Sequence, residues 1–316
     1  MSAAEGWGDY PAAAEAHWIG RAEAATDLLG DAAFERLAHA VARLSDLFTT
    51  ERPEGRFPDY FAEEELLAAY GIFFLPQSFV RTGYALAQAM ELRGWRPASA
   101  IPAILDLGSG PGSCGVAVAH HLRRRGAGRV ELAAVDRSPG ALAGLERFAA
   151  DFLGDPVTVR TRVGDASRPE TWPEGDFDVI VAGFVLNEMT QLDAKSTLAW
   201  FTTLRRRLRP GGLILLLEPA LRATAERATR ISMRSAERTT PSKVIASDSL
   251  VRRARRNVLR PFCCCPSGPS CTGAGEELDA GPLTSASAAS RSARGAVRRL
   301  MASTSQRIIG SELRGA

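Results

Sequence analysis

The stretch Ala103-Ile-Leu-Asp-Leu-Gly-Ser-Gly-Pro-Gly-Ser-Cys114 constrains this chain more than any other. Ala103 to Leu107 is a short apolar run that reads as a buried parallel strand. It ends in Gly108, Gly110 and Gly112, and a helical apolar period starts at about Ser113. A strand that turns through glycines into a helix puts backbone N–H groups at the carboxyl edge of a sheet. Glycines, lacking a Cβ, let the main chain press against a ligand there. The spacing narrows the choice of ligand. A dinucleotide loop reads G-x-G-x-x-G, but Ser113 stands where its third glycine would be, and the glycine falls one residue earlier, at Gly112. The pattern from Asp106 is instead acidic-x-G-x-G-x-G.

Downstream, strand-like and helix-like runs alternate. Arg129 to Val135 reads as a second strand ending in Asp136, and Gly140 to Phe152 as a helix. Val157 to Val163 is a third strand ending at Gly164-Asp165. Phe177 to Gly183 is a fourth, Leu192 to Leu208 an amphipathic helix, and Leu213 to Leu217 a fifth strand ending at Glu218-Pro219. Such alternation predicts an α/β fold: a Rossmann-like, doubly wound, mostly parallel sheet with ligands at the carboxyl ends of its strands. Residues 98–221 form this core. Residues 1–97 read as an N-terminal helical region, with helical periods over Ala13–Ile19, Ala22–Leu29 and Ala32–Phe48 and a further helix from Glu63. In the apolar, aromatic run Gly71 to Arg81, Pro76 predicts a kink. Gln77 and Arg81 need partners there, because polar groups sit beside an apolar surface. After Leu221 the pattern fails. Residues 222–316 are a basic, Ser/Arg/Ala-rich, irregular region, with a helix expected within 222–250, no pair of well-patterned further strands, and disorder expected over 282–296.

The chain has 316 residues, 45% hydrophobic and 24% charged, which suits a globular protein with room for one α/β core and an appendage. No basic-then-apolar leader and no run of roughly 20 apolar residues is found, so the expectation is a cytoplasmic protein without membrane contact. Five cysteines, four of them between Cys263 and Cys271, are not a disulfide framework in a chain of this size. The net charge of +3 conceals an asymmetry: from Arg222 onward there are 17 Lys/Arg and 7 Asp/Glu, a balance of +10 that leaves −7 for the rest. A basic tail behind an acidic body suits a nucleic-acid partner, and equally a solvated extension. His17, His39, His120 and His121 show no ligand spacing and read as surface or helix-face residues.

The acidic-x-G-x-G-x-G loop resembles motif I of class I S-adenosylmethionine (SAM) methyltransferases. That resemblance implies SAM as cofactor, held by Asp106, Gly108, Gly110, Gly112, Asp136, Asp165 and Phe184. Asp136 is placed to accept the ribose hydroxyls, because a carboxylate is a bidentate acceptor. Asp165 sits where such enzymes contact the adenine amino group. The chain after the fourth strand, Phe184-Val-Leu-Asn-Glu-Met189, is neither an Asn/Asp-Pro-Pro-aromatic turn nor the source of a cysteine nucleophile, and Cys114 reads as a small buried residue. Asn187 and Glu188 are the candidates for positioning the substrate, or else caps of the following helix.

Several stretches also resemble the mitochondrial small-ribosomal-subunit methyltransferase-like family and its bacterial members. They are Ala69 to Arg81, the glycine loop, Leu186-Asn-Glu188 and Leu216-Leu-Glu-Pro219. This resemblance implies work on or with ribosomal RNA of the small subunit. It also implies a four-cysteine iron–sulfur site, of which Cys263, Cys265 and Cys271 are the candidates here, with a C-x5-C spacing from Cys265 to Cys271. Three readings follow: a SAM-dependent methyltransferase acting on ribosomal RNA, a small-molecule methyltransferase whose N-terminal helices form a lid, and a non-catalytic SAM-binding ribosome assembly factor.

Overall fold

A computed structural model describes residues 6–27, 31–49, 59–189, 193–218 and 243–246. The helices are α1 (Ala12–Thr26), α2 (Asp31–Thr49), α3 (Glu64–Ala87), α4 (Ser113–Arg124), α5 (Pro139–Leu153) and α6 (Ala194–Arg206). The strands are β1 (Ala103–Leu107), β2 (Val130–Asp136), β3 (Val157–Val163), β4 (Phe177–Gly183), β5 (Leu208–Leu217) and β6 (Lys243–Ala246). They form one sheet in the order β3-β2-β1-β4-β5-β6, and every adjacent pair is parallel. This is the Rossmann-like fold, and its order reverses between β1 and β4, where ligands collect.

Burial follows position in the sheet. β1 is buried at every residue and β4 at all but Gly183, because helices cover both faces of the central strands. β3, at one edge, runs from a buried Val157 to a Val163 that is 59% exposed. One face carries α3, α4 and α5. Its apolar cluster joins Ile104, Leu132 and Val179 of the sheet to Leu75 and Phe79 of α3, and to Trp18 of α1. The other face packs Leu105, Leu107 and Ile180 against Trp200, Phe201 and Leu204 of α6. The N-terminal helices thus share one core with the sheet.

At the amino edge the sheet is fastened by a buried carboxylate. Asp178 is 1% exposed. It accepts from the Ser99 N–H, the Ser99 hydroxyl and the Ala103 N–H, and pairs with Arg209 at 2.6 Å. Trp95 Nε1 donates to the Gly211 carbonyl at 2.9 Å, tying the chain that follows α3 to β5.

Three local expectations change. β5 begins at Leu208 rather than Leu213, with an irregular register between Phe177 and Val179 of β4 accommodating Pro210-Gly-Gly212. Where a helix is expected in 222–250, residues 243–246 form β6, a parallel edge strand too short for its apolar pattern to stand out. The rest of 219–316 lies outside the described residues. Both His120 and His121 lie on a face of α4, but His121 is not at the surface: it is 2% exposed and packs 4.8 Å from the Trp7 ring, while the half-buried His120 stacks on Phe152 at 5.0 Å. Burial holds both neutral, pushing His120 down to about 4 and His121 down to about 3.

Candidate functional site

A cavity of about 960 Å³ lies over the carboxyl ends of β3, β2, β1 and β4. Its floor carries Asp165, Asp136, Gly108, Gly110 and Phe184, one or two from each strand tip in that spatial order. Its roof comes from the N-terminal region: Phe48, Tyr60 and Phe61, then Tyr70, Gln77 and Arg81 along α3. Asn187 and Glu188 complete a wall.

The floor is organised by Asp136. The Gly108 and Ser109 N–H groups both donate to the Val135 carbonyl, at 2.8 and 3.0 Å, which stitches the glycine loop to the end of β2. The Gly110 N–H donates to Asp136 Oδ2 at 2.7 Å, and the Ser138 N–H to Oδ1 at 2.9 Å. Each carboxylate oxygen keeps a second lone pair for a ligand. Burial raises the Asp136 pKa against the lowering effect of these two donors. Asp165 uses Oδ1 to accept from the Ser167 N–H and hydroxyl at 2.8 and 2.6 Å. The two acids at the β2 and β3 tips therefore face one cleft.

The glycines divide by role. Gly110, at φ +51°, has open space where a Cβ would stand, with only the Tyr70 hydroxyl at 4.0 Å. Its backbone borders the cavity and a ligand can approach it closely. Gly112 does not line the cavity. At φ +97°, its Cβ would stand 2.9 Å from Leu145 and from Val116, so this glycine serves helix packing under the loop. Asp106 is also placed elsewhere. Leu105 and Leu107 point to the α6 face, so the alternation of a strand turns Asp106 toward α4. There it is fully buried and accepts from the Gly115 N–H at 2.7 Å, and burial pushes its pKa up to about 7. It anchors the start of α4 rather than facing a ligand. Cys114 is buried at 3% exposure, in keeping with a small core residue.

The turn after β4 is held from outside itself. Phe184 adopts φ +62°, and its N–H donates to the Leu217 carbonyl at 2.6 Å. The Leu186 and Asn187 N–H groups donate to Glu218 at 2.8 and 3.3 Å, and burial pushes Glu218 up to about 7. Glu188 pairs with Arg137 at 3.3 Å. Neither Asn187 nor Glu188 caps the next helix, since Asp193 does so by accepting from the Ser196 N–H at 2.7 Å. On the roof, the Gln77 side chain donates to the Phe73 carbonyl at 2.9 Å. The Arg81 guanidinium stands 6.0 Å from the Phe184 ring centroid. Burial raises the Tyr60 and Tyr70 phenols well above the ordinary range, so both remain neutral.

Sequence reasoning overlooked Glu218 as a site residue, although it obeys the same rule as Asp136 and Asp165, an acid at a strand tip. It also missed Asp59, which accepts a hydrogen bond from Ser138 and latches the roof to the floor. The candidate metal ligands Cys263, Cys265 and Cys271 lie outside the described residues. Among the described residues, no group of three or more His, Cys, Asp or Glu could hold a metal ion. Among the same residues, no helix is long and apolar enough to cross a membrane.

The site suits an adenosyl ligand. It offers carboxylate acceptors at two adjacent strand tips and a glycine whose missing Cβ leaves open space. Residues 105–214 match the family described as "Methyltransferase domain". No curated protein matches the chain. Among solved structures, one similar chain is a putative class I S-adenosylmethionine-dependent methyltransferase from Listeria monocytogenes, at 14% identity and TM-score 0.35, covering 70% of this chain and 79% of that one. Another is a SAM-dependent methyltransferase from Thiobacillus denitrificans in complex with S-adenosyl-L-homocysteine, at 21% identity and TM-score 0.32, covering 60% and 64%. A third is the YcgJ protein from Bacillus subtilis, at 20% identity and TM-score 0.31, where the match covers 43% of this chain and only half of that one, 50%.

Proposed function

We propose that this chain is a SAM-dependent methyltransferase that acts on ribosomal RNA of the small subunit. The observation that carries the cofactor half is the convergence of Asp165, Asp136 and Gly110 on one cavity at the point where the strand order reverses. Asp165 takes the adenine amino group, Asp136 the ribose hydroxyls, and the Gly108–Gly110 main chain the methionine part. Bound SAM supplies a methyl group already activated on a sulfonium, so the protein's task is positioning. Glu218 fixes the Leu186–Glu188 turn, and Asn187 and Glu188 present their side chains on the wall beside the cofactor slot, where an incoming nucleophile would arrive.

The ribosomal half rests on the resemblance of residues 69–81, 186–188 and 216–219 to the small-subunit methyltransferase-like family, and on the +10 balance of residues 222–316. Transfer of labelled methyl from SAM to small subunits isolated from a strain lacking this gene tests it. Label in the ribosomal RNA is the expected result, and binding of S-adenosylhomocysteine without any transfer leaves the assembly-factor role instead. The roof favours a second reading. Phe48, Tyr60, Tyr70 and Phe74 line the cavity from above, as a lid over a small substrate would. RNA binding that weakens steeply with salt favours the first reading over this one.

A further inference from the structure

Resting on the RNA half of the reading above, and independent of its cofactor half, we propose that the amino edge of the sheet, opposite the candidate site, is a docking surface for the phosphate backbone of RNA. Six arginines gather there: Arg93, Arg96, Arg123, Arg124, Arg125 and Arg129. The fold brings them together. In a parallel sheet each crossover helix runs back against the strands, so α4 ends at the amino edge with Arg123 and Arg124 in its last turn. Arg125 and Arg129 lie in the turn from α4 to β2, and Arg93 and Arg96 in the stretch 88–102 that leads from α3 to β1. Contacts join the two stretches. Arg125 pairs with Glu91 at 3.3 Å, and the Glu131 N–H donates to the Pro102 carbonyl at 2.9 Å.

The surface stays positive because its own acid is already used. Glu91 is the only Asp or Glu in residues 88–102 and 121–130. Besides pairing with Arg125, it accepts from Trp7 Nε1 at 2.6 Å. Neutral groups hold several of the guanidiniums. Arg96 donates to the Met90 and Trp95 carbonyls at 2.7 Å, Arg124 to the Gly6 carbonyl at 3.4 Å, and Arg123 to the Ala127 and Gly128 carbonyls. Arg125 also rests over the Trp7 ring, 4.2 Å from its centroid. Main-chain carbonyls orient a guanidinium without cancelling its charge, which leaves less entropy to lose when an anion arrives. The dipole at the end of α4 accounts for Arg123 to Arg125 but not for Arg129, which stands beside β2.

A polyanion is the partner this arrangement fits. Residues 1–221 carry a balance of −7, and the cavity at the opposite edge is lined by four carboxylates and two guanidiniums. A nucleic-acid strand is repelled by most of this body and drawn to the arginine edge. Arginine fills all six places, and its planar fork matches phosphate oxygens two at a time. The seven residues of β4, at about 3.3 Å each, put about 20 Å between the two edges. The surface therefore anchors RNA at a distance from the transfer site and does not hold the acceptor itself. Leu92, 75% exposed beside Arg93, marks the competing partner, since a protein docked here would bury it.

Fluorescence anisotropy of the full chain with a transcribed fragment of small-subunit ribosomal RNA, between about 50 and about 200 mM salt, tests this. Arg124→Glu/Arg129→Glu should weaken binding at least about tenfold and make the fall of log K with log salt shallower by about 2. Arg124→Gln/Arg129→Gln, which only removes the charges, should show a smaller loss in the same direction. Arg36→Glu/Arg43→Glu makes the same change in net charge on exposed positions of α2, and should bind within about twofold of wild type. Residues 222–316 are common to all these variants, so their own attraction for RNA does not separate them. Unchanged affinity and slope in Arg124→Glu/Arg129→Glu overturn the proposal, as does an equal loss in the α2 variant. A loss confined to Leu92→Ala overturns it too, because that marks an apolar protein contact. If the wild-type chain does not bind the RNA, the RNA half of the function falls together with this surface. Wild-type binding that persists in Arg124→Glu/Arg129→Glu removes the surface alone.

Discussion

Replacing Gly110 and Gly112 one at a time by alanine separates two roles that the same loop combines. Both residues have positive φ, +51° and +97°, where an L side chain costs about 1–2 kcal/mol. At Gly110 that strain is the whole cost to folding, since the new Cβ enters open space. At Gly112 the Cβ would sit 2.9 Å from Leu145 and Val116. Overpacking of that kind adds about 1–3 kcal/mol. Gly112→Ala should therefore lose about 2–5 kcal/mol and Gly110→Ala about 1–2 kcal/mol. At about 2–4 °C per kcal/mol, the melting temperature should fall by about 4–20 °C for the first and about 2–8 °C for the second. Binding should rank the other way. S-adenosylhomocysteine affinity should drop in Gly110→Ala, whose methyl faces the slot, and stay near wild type in folded Gly112→Ala. Differential scanning calorimetry and titration calorimetry read the two effects. A Gly110→Ala protein that melts lower than Gly112→Ala yet binds normally would refute the division.

Other expectations follow from the buried charges. Asp178→Ala leaves Arg209 without its carboxylate and strips acceptors from Ser99 and Ala103, so urea unfolding should report a loss of about 3–5 kcal/mol. Burial raises Asp106 and Glu218 to about 7 in the folded protein, above their ordinary 3.8 and 4.5, so the folded state holds more protons between pH 4 and 7. Their contribution to stability is most favourable below about pH 4 and declines as pH rises through 7. Glu218→Gln should flatten that decline in pH-resolved denaturant melts. His120 and His121 act with the opposite sign. They are lowered from 6.5 to about 4 and about 3, so stability is full above pH 6.5 and is lost as pH falls toward those values. The double variant His120→Gln/His121→Gln should remove this acid slope and expose the carboxylate slope alone, and an unchanged slope would show that the two rings are solvated.

Much of the sheet was legible in the sequence because each central strand is a short apolar run closed by glycine or an acid. The predicted limits of β1, β3 and β4 coincide with those observed. Asp136 and Asp165 could be paired from sequence because a strand tip fixes both a residue's height and its side of the sheet. Asp106 follows the same motif but sits one residue inside the tip, and the two-residue period of a strand sends it to α4. The roof was less accessible. Tyr60, Tyr70 and Arg81 lie on elements whose apolar pattern says only that they pack. Which of their polar atoms overhang the slot depends on how α3 crosses the sheet, a tertiary fact without a local signature. Gln77 and Arg81 still betrayed themselves as polar groups beside an apolar face. β6 has four residues and no partner motif, too little for periodicity to register.

The helix α3 carries a practical lesson for anyone handling this molecule in pieces. The recognisable methyltransferase unit begins at residue 105, and a natural impulse is to trim away everything before it. Yet Leu75, Phe79 and Leu86 of that rod are wholly enclosed, and so are Val118 and Phe148 in the same cluster. Cutting there would strip an oily flank bare along with the roof of the slot. Such a trimmed protein should come out of cells as aggregate, and the shortest soluble version will have to keep the first hundred residues.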